Sequence, residues 1–260
     1  MNTNQSPGKN SPNYTFTLTF NPEILRITAY ISLIFMLLIG VIVTKKWVEV
    51  EPTTTVIYQL FGFNHICNVL DHEPSRTISA MLLPFWEIPF VLYLIFNFLR
   101  IQDAYREGNA PRSNFLVATT FLPVELLLTI WFRIVLVRPP ITEDLFFGHY
   151  LPYLGFQLLL CLVAFENVLY FYAVKALPFN NNRSLAIAYL LLLFLVTSTC
   201  ISVGLSVAMG HPILDLTGNE TQRTIFRAIA SVYMILSIPV PLCLSILEMR
   251  RSPKHTLSFE

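Results

Sequence analysis

Charge is scarce in this sequence. Lys, Arg, Asp and Glu make up 13% of its 260 residues, about half the share of a soluble domain. The two signs nearly cancel, at a formal net charge of +1, so no nucleic-acid partner is expected. Glycine is thin as well, with 9 residues, and no pair of glycine-broken half-helices of the transporter kind is evident. The four cysteines, Cys67, Cys161, Cys200 and Cys243, form no CxxC and no disulfide framework; each reads as small apolar filler. Histidines occur only in loops and at the ends of apolar runs (His65, His72, His149, His211 and His255), which excludes paired intramembrane haem ligands. GxSxG, HxxxxD, HExxH and Walker patterns are absent. On these grounds no catalytic residue, metal ligand or cofactor is assigned.

Apolar residues fill the space instead. They account for 54% of the chain, and the mean hydropathy is +0.59. Several runs exceed the roughly 18–20 residues that cross a hydrocarbon core. The pattern predicts an all-α, polytopic integral membrane protein, a bundle of six transmembrane helices over 24–44, 78–99, 114–137, 150–174, 185–209 and 224–247. None of the runs has the alternation of a barrel strand. Arg100 is read as closing the second span, and Pro239 with Pro241 as kinking the sixth.

The predicted layout is a polar, disordered cytosolic tail over 1–22, a transmembrane domain over 23–250 and a second, loose cytosolic tail over 251–260. The first tail lacks the basic segment and short apolar core of a signal peptide, so the first span is read as an uncleaved anchor. The longest loop, 45–77, contains "TTTVIYQLFGFNHICNVLDHEPSR". It is too short to span and is expected to fold over the mouth of the bundle as a hairpin or interfacial helix.

Six spans put both termini on one side. The termini-side segments would hold Arg100, Arg106, Arg112, Lys175, Arg183, Arg250, Arg251 and Lys254, against Lys45, Lys46, Arg76, Arg138 and Arg223 opposite. The positive-inside rule then favours cytosolic termini. Asn219-Glu-Thr becomes a lumenal glycosylation sequon, while Asn182-Arg-Ser and Asn13-Tyr-Thr stay silent.

Three carboxylates interrupt the spans: Glu87, Glu125 and Glu166. Glu125, Thr129 and Arg133 follow at four-residue steps and share one stripe. A charge at that depth costs a few kcal/mol, so these groups are expected to face the bundle and meet partners on other helices. The stripe could line a polar cavity for a lipid headgroup or an ion, or it could be interhelical glue. At the lumenal ends Arg76, Arg133, Arg138, Glu143, Asp144, His149, Arg223 and Arg227 gather. The planar fork of arginine suits phosphate, although a snorkelling belt draws on the same residues. The expectation carried forward is that Arg76, Arg133 and His149 converge on one lumenal pocket for a phosphate-bearing lipid, with Arg138 and Arg227 nearby.

Three stretches in order, "EPSRTISAMLLPFWEIPFVLYLIFNFLR", "PVELLLTIW" and "ITEDLFFGHYLPYLGFQ", with "RTIFRAIASVYM" more loosely, resemble the Frag/DRAM/Sfk family of six-span membrane proteins. That family includes the Golgi factor for GPI-anchor lipid remodelling and lysosomal autophagy modulators. The resemblance covers about 75–250, and Arg76, Glu125 and His149 are the matching positions. Two features depart from it: Pro89-Phe90 stands where the Golgi factor has Pro-Arg, and Glu87 has no counterpart. The resemblance implies handling of phospholipid or GPI-anchor lipid in an endomembrane such as the endoplasmic reticulum or Golgi. The residues alone leave more open: a protein that handles membrane lipids, a non-catalytic auxiliary subunit packed against other integral membrane subunits such as a lipid-transfer machine, or, less favoured, an ion or proton channel using Glu87 and Glu125. They also leave the plasma membrane open as a location.

Overall fold

The computed structural model describes residues 16–48, 51–63, 71–138, 146–177, 182–250 and 255–259. Asn13, His65, Cys67, Glu143 and Asp144, on which expectations fell, lie outside them. The helices are α1 (Glu23–Trp47), the short α2 (Val56–Phe61), α3 (Ser75–Arg106), α4 (Arg112–Val137), α5 (Leu151–Ala173), α6 (Arg183–Ala208), α7 (Glu220–Ser237) and α8 (Pro239–Met249). A π-type turn over Phe146–Tyr150 leads into α5. Among the described residues six helices are long and apolar enough to cross a membrane, with α7 and α8 forming the sixth as one interrupted unit. Each overlaps its predicted span.

The outward faces explain the need for lipid. Ile31, Phe35, Leu38 and Ile42 form one stripe of α1, each more than half exposed, and Leu191, Phe194 and Leu195 do the same on α6. Water would reject such stripes, whereas acyl chains accept them. Helix ends are closed by short polar side chains: Asn182 Oδ1 accepts from the Leu185 amide at 3.2 Å and Asn219 Oδ1 from Gln222 at 3.1 Å. Pro84, Pro89 and Pro123 lie inside α3 and α4, which membrane helices tolerate because neighbours re-satisfy the freed backbone.

The spans pack in sequence order around a closed ring: α1 on α3, α3 on α4, α4 on α5, α5 on α6, α6 on α7, and α8 back on α1. The fourth span is the most enclosed, with 67% of its apolar window buried against 28–39% for the other five. The interruption predicted from Pro239 and Pro241 falls at Ile238 (φ −123°, ψ −70°). Beside it the Leu236 carbonyl accepts from Tyr189 Oη at 3.0 Å.

Phe16–Phe20 pairs antiparallel with His255–Phe259, where sequence reading placed two tails. Asn21 Nδ2 also donates to the Met249 carbonyl at 3.1 Å. These two strands therefore meet at one end of the bundle, called here the terminal face; the opposite end is the far face.

The described stretch 51–63 of the first loop packs over the far face. Ile57, Phe61 and Phe63 pack with Tyr150, Leu216 and Phe226, and the Phe61 and Phe226 rings stack at 6.1 Å. Gly62 permits this cover. Its φ is +70°, and a Cβ there would meet the Leu216 carbonyl oxygen at 2.5 Å and Arg223 Cδ at 2.7 Å.

Candidate functional site

Two polar sites stand at opposite ends of the bundle, separated by aromatic packing. On the far face the three groups expected to share a pocket each end on a different carboxylate. Arg76 Nη2 lies 2.6 Å from Glu73 Oε1 at the surface. Arg133 Nε reaches both oxygens of the buried Glu87, at 2.7 and 2.9 Å. His149, itself buried, brings Nε2 to 3.3 Å from Oδ1 of the buried Asp71. Arg138 follows the end of α4, where its amide donates to the Ile134 carbonyl, and Arg227 is exposed on α7. Two arginines of the belt, Arg76 and Arg133, are thus occupied by acids supplied by the protein itself.

Electrostatics at this end follow burial. Loss of solvent pushes the Asp71 carboxyl up to about 8, against the opposing pull of Arg76. Burial and the charge of Arg76 both hold His72 below its usual range. Glu73 sits below the usual carboxylate range because it accepts from Thr77 and Arg76. Beside His149 a cavity of about 30 Å³, room for a water or two, is lined by Phe61, Tyr150, Gln157, Cys200 and Phe226.

The second site lies toward the terminal face. Arg26 on α1 pairs with Glu23 at 2.8 Å and with Glu248 of α8, and its Nε also donates to Ser245. Arg100 on α3 pairs with Glu23 at 2.8 Å and donates to Asn97 and, at 3.4 Å, to Asn167 of α5. Its guanidinium lies over the rings of Tyr170 and Phe171, 4.5 and 5.0 Å from their centroids. Asn97 donates to Glu166, and Tyr93 to Asn167. One network therefore joins α1, α3, α5 and α8, and every charged member is at most 4% exposed.

Sequence reading finds Glu166 but misses most of its company. Arg100, expected to close the second span at the membrane surface, lies inside the bundle instead: α3 continues to Arg106, and Arg100 is 1% exposed. The signals that were available are Arg26 just inside the first apolar run, three residues from Glu23, and the asparagines Asn97 and Asn167 in otherwise oily spans. Glu87 and Glu125 face the bundle as expected, at 4% and 1% exposure. Glu87 has Arg133 as a partner on another helix, but Glu125 Oε1 has no hydrogen-bond partner among the described residues.

Between the two sites sits an aromatic block. Trp86 packs with Phe90 at 5.2 Å and with Phe132 and Phe156 at 5.6 Å each, and Phe132 stacks on Phe156 at 4.1 Å. Among the described residues no three His, Cys, Asp or Glu side chains gather to hold a metal ion.

No protein-family model, curated protein or solved structure matches the chain.

Proposed function

We propose that this chain is an endomembrane protein that handles phospholipid or GPI-anchor lipid, by binding it directly or assisting its remodelling. The observation that carries the reading is a pair of apolar grooves in the terminal-face half of the bundle. Where the break at Ile238 turns α8 toward α1, a groove of about 340 Å³ opens along α6, walled by Leu185, Tyr189, Leu192, Val240 and Leu244. A second, of about 200 Å³, runs beside it between α5 and α6, and the two share Val168 and Ala186. Arg183 lines the second groove at the start of α6, with its guanidinium 5.0 Å from the Tyr172 ring centroid. Two apolar channels with a cation at headgroup depth have the chemistry of two acyl chains below a phosphate. The resemblance of the stretches around Arg76, Glu125 and His149 to the Frag/DRAM/Sfk family implies the same class of ligand, although Arg76 and His149 stand at the far face and not at the grooves.

Native mass spectrometry of protein extracted in mild detergent tests this. The wild type is expected to retain phospholipid or glycolipid, and Ala186→Trp, which fills both grooves, together with Arg183→Ala, to cut retention several-fold. Lipid-free protein accompanied by a stoichiometric second membrane protein would replace the reading with that of an auxiliary subunit.

The orientation belongs to the same proposal. With cytosolic termini, Asn219 faces the lumen; it is exposed, and its Oδ1 caps α7, leaving the amide nitrogen for a glycan. A glycosidase-sensitive gel shift that disappears in Asn219→Gln is expected. A shift that maps to Asn182 would invert the topology.

A further inference from the structure

The terminal-face network does not balance its charges. Arg26 and Arg100 are its two cations. Glu23 and Glu248 pair with them, and Glu166 joins the same network through Asn97. Glu125, on α4, faces this side of α5. The Phe121 and Phe165 rings meet at 6.1 Å, and Gly155 abuts Leu128 and Trp131, so the contacts between α4 and α5 bracket Glu125 and reach the level of Glu166. Glu125 is four residues from Phe121 and Glu166 one from Phe165, so the two carboxyls lie within about two helical turns of one another in level on neighbouring helices.

Each has an atom left over. Glu166 Oε1 accepts from Asn97, but Oε2 has no hydrogen-bond partner among the described residues, and neither has Glu125 Oε1. Glu125 is 1% exposed and Glu166 4%. Glu166 is held by Asn97 of α3, and the network runs on from there through Arg100 and Tyr93 of α3 and Asn167 of α5 to Glu23 and Arg26 of α1 and Glu248 of α8, with Tyr30 of α1 buried in the same core. Among the described residues no third cation joins them. On the far side lies the aromatic block of Trp86, Phe90, Phe132 and Phe156, which supplies no counter-charge.

Two carboxylates left uncompensated in hydrocarbon would cost far more than the fold can bear. We propose that Glu125 and Glu166 form a proton-binding site in the membrane interior, loaded at neutral pH. Two carboxyls in one dry site keep at least one proton because like charges cannot both ionise there. Each protonated acid also gains an O–H donor, and the buried Glu166 Oε2, Glu125 Oε1 and Tyr30 Oη have no hydrogen-bond partner among the described residues. A metal ion fits less well, since hard cations take six or more oxygens. This site is independent of the lipid grooves and stands or falls without them.

Infrared spectroscopy of the purified protein reads the proton directly. At neutral pH the wild type is expected to show a carboxylic-acid C=O band that shifts in D₂O. Glu125→Gln or Glu166→Gln should each remove part of its intensity, since glutamine keeps the shape and the hydrogen bonds. A wild type with no such band overturns the proposal, as does a band untouched by both substitutions. Carbodiimide labelling of the wild type supplies a second reading that needs no variant. The reagent adds to a protonated carboxyl, and peptide mass mapping is expected to find the adduct on Glu125 or Glu166. Adducts only at other carboxyls would count against the site.

Discussion

Replacing Arg100 with alanine is expected to cost the protein its folded state. The guanidinium holds Glu23 at 2.8 Å, donates to Asn97 and Asn167, and lies over two aromatic rings. Removing one partner of a buried pair leaves the other charge stranded, at about 3–5 kcal/mol. That is a large fraction of the roughly 5–15 kcal/mol by which folded proteins are stable. Lysine should rescue only in part. It restores the charge but not the planar fork that reaches Glu23 and Asn97 at once. Converting both partners, Glu23→Gln with Arg100→Gln, should be milder than Arg100→Ala, because no ion is then left unpaired. Size-exclusion profiles and thermal melts of detergent-purified protein give the ranking. A folded Arg100→Ala protein that melts with the wild type would show that the network contributes nothing to stability.

The contrast between the buried Arg100 and the outward-facing Ile31 shows what a sequence of this kind discloses. Apolar runs must be about as long as the bilayer is thick, so length alone placed all six spans, and the proline pair placed the break at Ile238. The inward orientation of Glu87 and Glu125 followed from the cost of a charge in lipid. Depth was harder to read. A cation at the end of an apolar run looks the same whether the helix stops there or continues, and only the continuation of α3 to Arg106 puts Arg100 inside. Partners were harder still. Arg76, Arg133 and His149 share one end of the bundle, but chain spacing carries no information on which acid each meets. The answers were Glu73, three residues away, Glu87 on another helix, and Asp71 in the first loop. Two of these acids, Asp71 and Glu73, sit side by side with His72 in the turn before the second span, where nothing in the local pattern separates a buried carboxyl from a solvated one.

Asp71 should make the protein lose stability as pH rises, and Asp71→Asn should abolish that loss. The carboxyl is 3% exposed, lies 3.3 Å from His149 Nε2, and has its folded value raised by burial from 3.8 to about 8. The folded state therefore holds this proton more tightly than the unfolded state. Its contribution is fully present below about 4 and is lost as pH climbs to about 8. The slope within that window reaches about 1.4 kcal/mol per pH unit, so the difference between pH 5 and pH 8 is on the order of a few kcal/mol. His72 and Glu73 act in the other direction. Both have folded values below their usual ranges, so each costs stability as pH falls. Both remain in the variant, so their effect cancels when Asp71→Asn is compared with the wild type at each pH. Melting temperatures of the two proteins are expected to agree near pH 4 and to separate with rising pH, the asparagine variant being the more stable at pH 8. Parallel curves from pH 4 to 8 would mean that Asp71 ionises without penalty, through a solvent path or a counter-charge near His149.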